Sequence, residues 1–488
     1  MRKHPENPEA PEHAKVVESG TEKCSSVRGP AGEPEDGLPE GGGGGPGAGG
    51  SRAPLYHLVG AAGVGMSALA EILLAKGFRV TGSDRHLDSG LDLDVIRKLT
   101  ARGASFFPQD GSGVRADTRA VAVSTAIETD NLDVQAAARL SVPVLHRADM
   151  LAELVAGRQL VAVTGTSGKS TVTGMVGWVL EKLGADPTVV NGAIVLGWRT
   201  GERLGSTRAG ASDLWVIEAD ESDRTLLKFE PDWAIITNVS RDHFGYEETV
   251  ALFRIFGGRV KRGLVSPFDE PTLLDGFAPR LGADDVRFQY RSVEFRVPLM
   301  GRHNAENALL AAILCERLGH PPEAIAGALA SFPGLHRRLE FAGAANGVRV
   351  FDDYAHNPAK IRAAWESLAP GARRMIAVWR PHGYGPLANM MGDLAQVFGA
   401  CCGAKHRLFL LPVYDAGGTA NRSVSSGMLA DRIRAGGGKA SPVGDPAEAV
   451  EAVACEAQPG DVVLIMGARD PGLPALARAV VERIGRGS

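Results

Sequence analysis

Cysteine is scarce in this 488-residue chain: there are five, an odd number, and none of them forms a CxxC pair. That excludes a disulfide scaffold and the usual cysteine-based zinc or dithiol sites, and it suits a reduced, cytoplasmic compartment. Long apolar runs are also missing. None approaches the roughly 18 residues of a membrane-spanning helix, and the start of the chain is charged and proline-rich rather than signal-like, so no membrane partner is expected. There is no basic excess either, because 53 Lys and Arg face 57 Asp and Glu for a net charge of −4. Nucleic acid, which is bound chiefly by neutralising phosphates, is therefore not an expected partner, whereas small anions held at local sites are. No internal repeat is apparent.

An apolar fraction of 44% is present, ample for burial. At roughly 150 residues per domain, the length suggests three domains. Residues 1–53 hold PENPEAPE, GEPEDGLPE and GGGGGPGAGG and almost no large apolar side chain, the composition of a disordered tail. From Pro54 the pattern becomes an alternation of short apolar strands and helices. It divides into segments 54–155, 156–335 and 336–488, each expected to form an α/β domain with a parallel sheet.

The most informative stretch is Val161-Ala162-Val163-Thr164-Gly165-Thr166-Ser167-Gly168-Lys169-Ser170-Thr171. A β-branched run enters a loop of small residues, and Val172 to Leu183 then reads as a helix. Small residues let backbone N–H groups point inward, the helix start adds partial positive charge, Lys169 can reach outer phosphates and the Ser170 hydroxyl can ligate Mg²⁺. A nucleoside triphosphate is the implied ligand. Two further apolar runs end in polar clusters, Trp215 to Ile217 before Glu218, Asp220, Glu221 and Asp223, and Trp233 to Val239 before Asp242 and His243. Acids at strand ends are costly without a cation, so Ser170, these acids and His243 are candidates for a Mg²⁺ site. Downstream, His303, Asn304 and Asn307 precede a helix expected over 308–318 and present groups able to read a purine edge.

Near the start of the ordered chain, Leu55 to Val59 leads into Gly60-Ala61-Ala62-Gly63-Val64-Gly65-Met66-Ser67, and a second strand ends at Ser83-Asp84. Glycines of this kind allow a backbone to approach a pyrophosphate, and the acid can bind a ribose hydroxyl. Taken alone, the turn suits a UDP-type diphosphate about as well as NAD. The last third repeats the strand-then-polar pattern at Asp352 to Pro358, Arg380 to Pro386, Tyr414 to Gly417 and Gly467 to Asp470.

In order, GAAGVGMS at 60–67, STAIETDN at 124–131, RADMLAEL at 147–154, TGTSGKST at 164–171, EADESD at 218–223, NVSRDH at 238–243, GRHNAEN at 301–307, DDYAHNP at 352–358 and RPHGYGP at 380–386 closely resemble the Mur ligases from residue 54 onward. EADESD and STAIETDN point to the branch acting on UDP-N-acetylmuramate. The region Phe244 to Val260 lacks the lysine that other branches carbamylate, in keeping with addition of L-alanine.

The resemblance implies three domains: a Rossmann-like N-terminal UDP-substrate domain, a central P-loop ATPase domain with a parallel sheet, and a Rossmann-like C-terminal domain for the amino substrate. It implies ATP-dependent ligation of an amino acid to the lactyl carboxylate through an acyl phosphate, in cytoplasmic peptidoglycan precursor synthesis. Lys169, Glu218, His243 and Arg338 would be catalytic, and Ser170, Glu218 and His243 would hold Mg²⁺. ATP would lie against Gly165 to Thr171, His303, Asn304, Asn307, Arg338 and Asp353. UDP-N-acetylmuramate and the amino substrate would meet Gly63, Gly65, Met66, Ser67, Ser83, Asp84, Ser124, Tyr354, His356, Arg380 and His382. Monomer and dimer are both compatible with it.

Two departures stand out. Ser167 and Ser170 replace a histidine and a threonine of the usual loop, the second keeping its hydroxyl. Gly383 and Pro386 stand where two arginines usually grip the acceptor's carboxylate, which leaves Arg380 or Arg422 for that role or calls for a different acceptor. Three alternatives follow: a recycling ligase that adds a whole murein tripeptide, a nucleotide-binding regulator without ligase activity, and, from the glycine turn alone, an NAD-dependent dehydrogenase.

Overall fold

A computed structural model describes residues 52–90, 92–240, 245–403, 405–415 and 422–487. The stretch read as a disordered tail lies outside them except for Arg52 and Ala53. Its strands are β1 (Leu55–Val59), β2 (Arg79–Ser83), β3 (Ser105–Phe107), β4 (Thr118–Val123), β5 (Val144–His146), β6 (Gln159–Thr164), β7 (Thr188–Val190), β8 (Thr207–Arg208), β9 (Leu214–Glu218), β10 (Trp233–Ile236), β11 (Gly263–Val265), β12 (Arg280–Leu281), β13 (Val286–Tyr290), β14 (Val293–Val297), β15 (Glu340–Ala345), β16 (Val348–Asp353), β17 (Arg374–Arg380), β18 (Arg407–Leu410), β19 (Ala440–Pro442) and β20 (Asp461–Gly467). They form three larger sheets, in the orders β3-β2-β1-β4-β5, β11-β10-β6-β9-β7-β8 and β15-β16-β20-β17-β18-β19.

The first sheet is wholly parallel, and the other two are parallel except for β8 and β15 at their edges. The central strands β6, β17 and β20 are almost entirely buried and read as unbroken apolar runs, as expected where helices cover both faces. The α/β class with parallel sheets expected from the sequence is therefore observed.

In each sheet a central strand is flanked on both sides, and register fixes what stands together at the carboxyl ends. Val59 pairs with Ser83. In the middle sheet Val163 pairs with Glu218 and Thr164 with Ile236, so the phosphate-type loop, the acidic cluster and Thr237 emerge side by side. In the third, Asp353 lies opposite Met466 and Arg380 opposite Gly467. Open α/β sheets place ligands at such reversals of strand order.

Two features differ from the sequence reading. β12, β13 and β14 make a small antiparallel sheet in which Phe288 and Phe295 are cross-strand partners and stack at 5.1 Å. The helix expected over 308–318 instead runs Arg302–Arg317, because Gly301 turns the chain into it at φ 90°. The asparagines of the GRHNAEN stretch therefore lie inside its first two turns.

Glu71, buried in the helix Val64–Ala75, ties the first sheet region to the second. Its carboxylate pairs with Arg102 at 2.5 Å and accepts bonds from the Leu204 N–H at 3.2 Å and the Thr207 hydroxyl at 2.6 Å. Among the described residues, no helix is long and apolar enough to cross a membrane.

Candidate active site where strand ends meet

The loop after β6 holds its shape because of its glycines and of its neighbour β10. Gly165 and Gly168 have φ of 131° and 85°, a region that side chains rarely enter. A Cβ on Gly165 would lie 2.1 Å from the Thr237 hydroxyl, and one on Gly168 would lie 2.5 Å from Asn307 Oδ1. Thr237 Oγ1 and Asn238 Nδ2 donate to the Ser167 carbonyl at 2.6 and 2.8 Å, while Ser167 N–H donates to Asn238 Oδ1 at 3.0 Å. Thr166 and Ser240 exchange a further hydroxyl contact, with Ser240 N–H donating at 3.0 Å. The helix Lys169–Lys182 follows, with Ser170 and Thr171 buried in its first turn.

Lys169 is turned toward the acids after β9. Its ammonium donates to Glu221 at 2.5 Å and to the Gly165 carbonyl at 2.9 Å, and lies 4.0 Å from Asp220. Burial acts to lower its pKa, yet the carboxylates of Glu221, Glu218 and Asp220 together hold it above the ordinary lysine value. Burial raises the Glu221 pKa despite that partner, whereas the Lys169 charge overcomes burial to lower the pKa of Asp220. Lys169 therefore stays a cation, available to exchange one anionic partner for another.

The Glu218 Oε2 accepts the Gly192 N–H at 2.7 Å, and Asn191, beside it, donates to the Ser170 carbonyl at 3.1 Å while its own buried Oδ1 has no partner. A hydroxyl, a carboxylate and an unpartnered amide oxygen are hard donors of the kind Mg²⁺ takes, so this pole fits the cation. Among the described residues, no group of three His, Cys, Asp or Glu forms a metal cage. The remaining expected ligand, His243, and its neighbour Asp242 lie outside the described residues.

A cavity of about 1020 Å³ opens between the strand ends of all three sheets. Gly63, Gly65, Met66, Asp84 and Ser124 line one wall, Glu218 and Asp220 another, and Tyr414, Arg469 and Pro471 a third. Asp84 is fixed at its rim by the N–H groups of Ala62 and His86, both at 2.9 Å. Ser67 and Ser83 do not reach the cavity. Ser67 Oγ donates to the Val64 carbonyl at 3.1 Å, and Ser83 Oγ to the buried Asp133 at 2.5 Å, so both hydroxyls are used within the fold.

Three arginines that line the cavity, Arg85, Arg147 and Arg469, carry no individual role in the sequence reading. Arg147 lies against the glycine turn, its guanidinium 3.0 Å from where a Cβ on Gly65 would be. Its place at the start of a helix, right after the short β5, offered no periodic signal to find it by. Arg469 stands in the polar stretch that follows β20.

His303 lines a second cavity of about 570 Å³ together with Met300, Gly301 and Ser367. Asn304 and Asn307 do not line it. Asn304 turns inward and donates to the Met300 carbonyl at 2.7 Å, and Asn307 abuts Gly168. Burial and then the nearby Arg338 charge push the His303 pKa down to about 4. Arg338 sits 5.3 Å from the centre of the Tyr354 ring, which meets His356 edge-on, and His356 meets His382 with ring centres 4.8 Å apart. Burial lowers His356 to about 3 and His382 to about 4. Asp353, whose pKa burial raises against the pull of Arg338, accepts the N–H groups of Leu339 and Ala355, both at 2.8 Å.

Neither arginine left for the acceptor's carboxylate is uncommitted. Arg380 pairs with Asp470 at 2.5 Å and donates to the Pro412 carbonyl, and Arg422 pairs with Asp415 at 2.9 Å.

Comparison with known proteins gives a consistent result. Residues 55–159 match the family model for the Mur ligase family catalytic domain, 163–252 that for the Mur ligase middle domain, and 337–469 that for the Mur ligase glutamate ligase domain. A UDP-N-acetylmuramate–L-alanine ligase of Rhizobium meliloti (strain 1021) is 36% identical over 455 residues, spanning 85% of this chain and 94% of that protein. Among solved structures, a UDP-N-acetylmuramate–alanine ligase of Thermotoga maritima superposes with a TM-score of 0.73 at 24% identity, over 89% of this chain and 99% of its own. A MurF ligase of Thermotoga maritima in complex with ADP does so at 0.52 and 16% identity, over 80% and 91%. At these identities, the two structures speak for the fold.

Proposed function

The chain belongs to the Mur ligase family, and on that premise we propose that it uses ATP to join UDP-N-acetylmuramate to L-alanine, releasing ADP and phosphate in peptidoglycan precursor synthesis. One observation carries the reading: a single cavity is walled by the glycine turn, by the acids beside Lys169 and by the third sheet's strand ends. A reaction of three substrates needs three such walls. The identity to a full-length alanine ligase favours alanine over a murein tripeptide as the acceptor.

In the proposed mechanism, Gly63, Gly65, Met66, Asp84, Ser124 and Arg147 hold the uridine diphosphate end. The loop Gly165 to Thr171 cradles the ATP phosphates, and His303 and Arg338 lie toward the nucleoside. Ser170 and Glu218 would hold Mg²⁺, with His243 at a second ion, and the metal's contribution is neutralisation of phosphate charge. Lys169 leaves Glu221 for the γ-phosphate and stabilises the charge that builds as the lactyl carboxylate attacks phosphorus. The neutral amine of L-alanine then attacks the acyl carbon, the C–O bond to phosphate breaks as the amide forms, and the proton shed by the nitrogen leaves with the departing phosphate. Low-pKa His356 and His382 are neutral at pH 7, so they add no charge repelling the ammonium form on arrival. The working compartment is the cytoplasm, where ATP and the reduced cysteines both belong.

Phosphate release from ATP tests the reading. It should require UDP-N-acetylmuramate and L-alanine together, and it should be far slower with the tripeptide. Release with the tripeptide alone would identify the recycling reaction, and persistent nucleotide binding without release would identify a regulator.

A further inference from the structure

We propose that Arg469 is the residue that grips the carboxylate of the incoming amino acid, an assignment that rests on the ligase reading above. It is an exposed arginine on the third-sheet wall of the large cavity, which Glu218 and Asp220 also line. Its guanidinium makes no ion pair or hydrogen bond among the described residues, in contrast to Arg337, Arg380 and Arg422, which are bound to Asp352, Asp470 and Asp415. An amino acid's carboxylate must give up water on entering the cavity, and an arginine fork is the group best matched to it.

The position is built for presentation. Arg469 has φ 62°, a conformation uncommon for a residue with a side chain and found preferentially at functional sites. The turn around it is staked from three sides. Arg337 Nη2 donates to the Gly467 carbonyl at 2.6 Å, Arg380 binds the Asp470 carboxylate at 2.5 Å, and Asp470 also accepts the Gly472 N–H at 2.8 Å. Arg380 therefore serves the acceptor's carboxylate indirectly, by holding the turn that carries Arg469. The pairing of β17 with β20 sets this turn beside Arg380-Pro381-His382, and the Arg469 charge contributes to the lowered His382 pKa, as expected of near neighbours. A cation there, next to a neutral imidazole, gives an amino acid one place for its carboxylate and keeps a second positive charge away from its amine.

The test uses the full-length protein and steady-state kinetics with L-alanine and with L-alaninamide, which lacks the carboxylate. Arg469→Gly relieves the left-handed backbone and is expected to fold; Arg469→Lys keeps a charge without the fork. For Arg469→Gly the KM for L-alanine should rise by about ten- to a hundredfold while those for ATP and UDP-N-acetylmuramate hold, and the wild-type preference for alanine over its amide should vanish. Arg469→Lys should fall between. An unchanged KM for alanine with the preference intact overturns the assignment, as does a rise confined to UDP-N-acetylmuramate, which would place the guanidinium on the diphosphate. A wild-type protein that releases no phosphate with alanine overturns the ligase reading instead, so the two failures are distinct.

Discussion

At the scale of single residues, the site is arranged to keep charges available and imidazoles neutral. Lys169 is held in reserve by Glu221 at 2.5 Å, and His303 is half-buried near the charge of Arg338. The second arrangement has a measurable consequence. With the His303 pKa near 4 when folded and near 6.5 when unfolded, the unfolded chain binds more protons across that window, so its contribution to stability is lost as pH falls from 6.5 toward 4. His356 and His382 act in the same sense, whereas Asp352, raised by burial to about 6, favours the folded state at lower pH. Comparing wild type with His303→Gln isolates one term. Between pH 7 and 4.5, wild type should lose on the order of 2 kcal/mol more unfolding free energy than the variant in urea titrations. Parallel pH profiles would mean that the folded protein does not hold the His303 imidazole below its ordinary pKa. The histidine was legible in the sequence as a site candidate; its neutrality was not, because it comes from burial and then from the charge of Arg338, 35 positions away, and both depend on the tertiary packing.

At the scale of elements, what could be read from the sequence is what local pattern encodes. β6 and its glycine loop were legible because a β-branched run, two glycines and Gly-Lys-Ser in that order leave few other structures. The clamp that Thr237 and Asn238 place on Ser167 was not, since it joins segments some 70 positions apart. The small antiparallel sheet of β12 to β14 did leave a signal, since Val286–Tyr290 and Val293–Val297 alternate apolar and polar residues on either side of Arg291-Ser292, but its strands are short and end in no polar cluster of the kind that marks the site. The Glu71 latch is likewise invisible in sequence, where it is one acid in an otherwise apolar helix. Its burial makes it decisive for how the first two sheets are joined. Glu71→Ala leaves the Leu204 N–H, the Thr207 hydroxyl and the Arg102 guanidinium without their acceptor, and should cost about 2–4 kcal/mol in denaturant unfolding. A loss below about 0.5 kcal/mol would show that water replaces the carboxylate without penalty.

At the scale of the whole molecule, function follows from three sheets presenting their carboxyl strand ends to one cavity of about 1020 Å³. The order of motifs pointed to this convergence, but not to which side chains would face inward. Gly63, Asp84 and Glu218 reach the cavity, Ser67 and Ser83 are spent within the fold, and Arg147 and Arg469 emerge as cavity arginines from stretches that the sequence marks without saying which of their side chains face inward. The central claim is that this cavity joins the γ-phosphate to a carboxylate before an amine displaces it. Turnover of UDP-N-acetylmuramate carrying ¹⁸O in its lactyl carboxylate, with ATP and L-alanine, tests that claim most directly. The account predicts that each phosphate released carries one labelled oxygen from the carboxylate. Formation of the amide with release of unlabelled phosphate, the second label leaving in water, would contradict it.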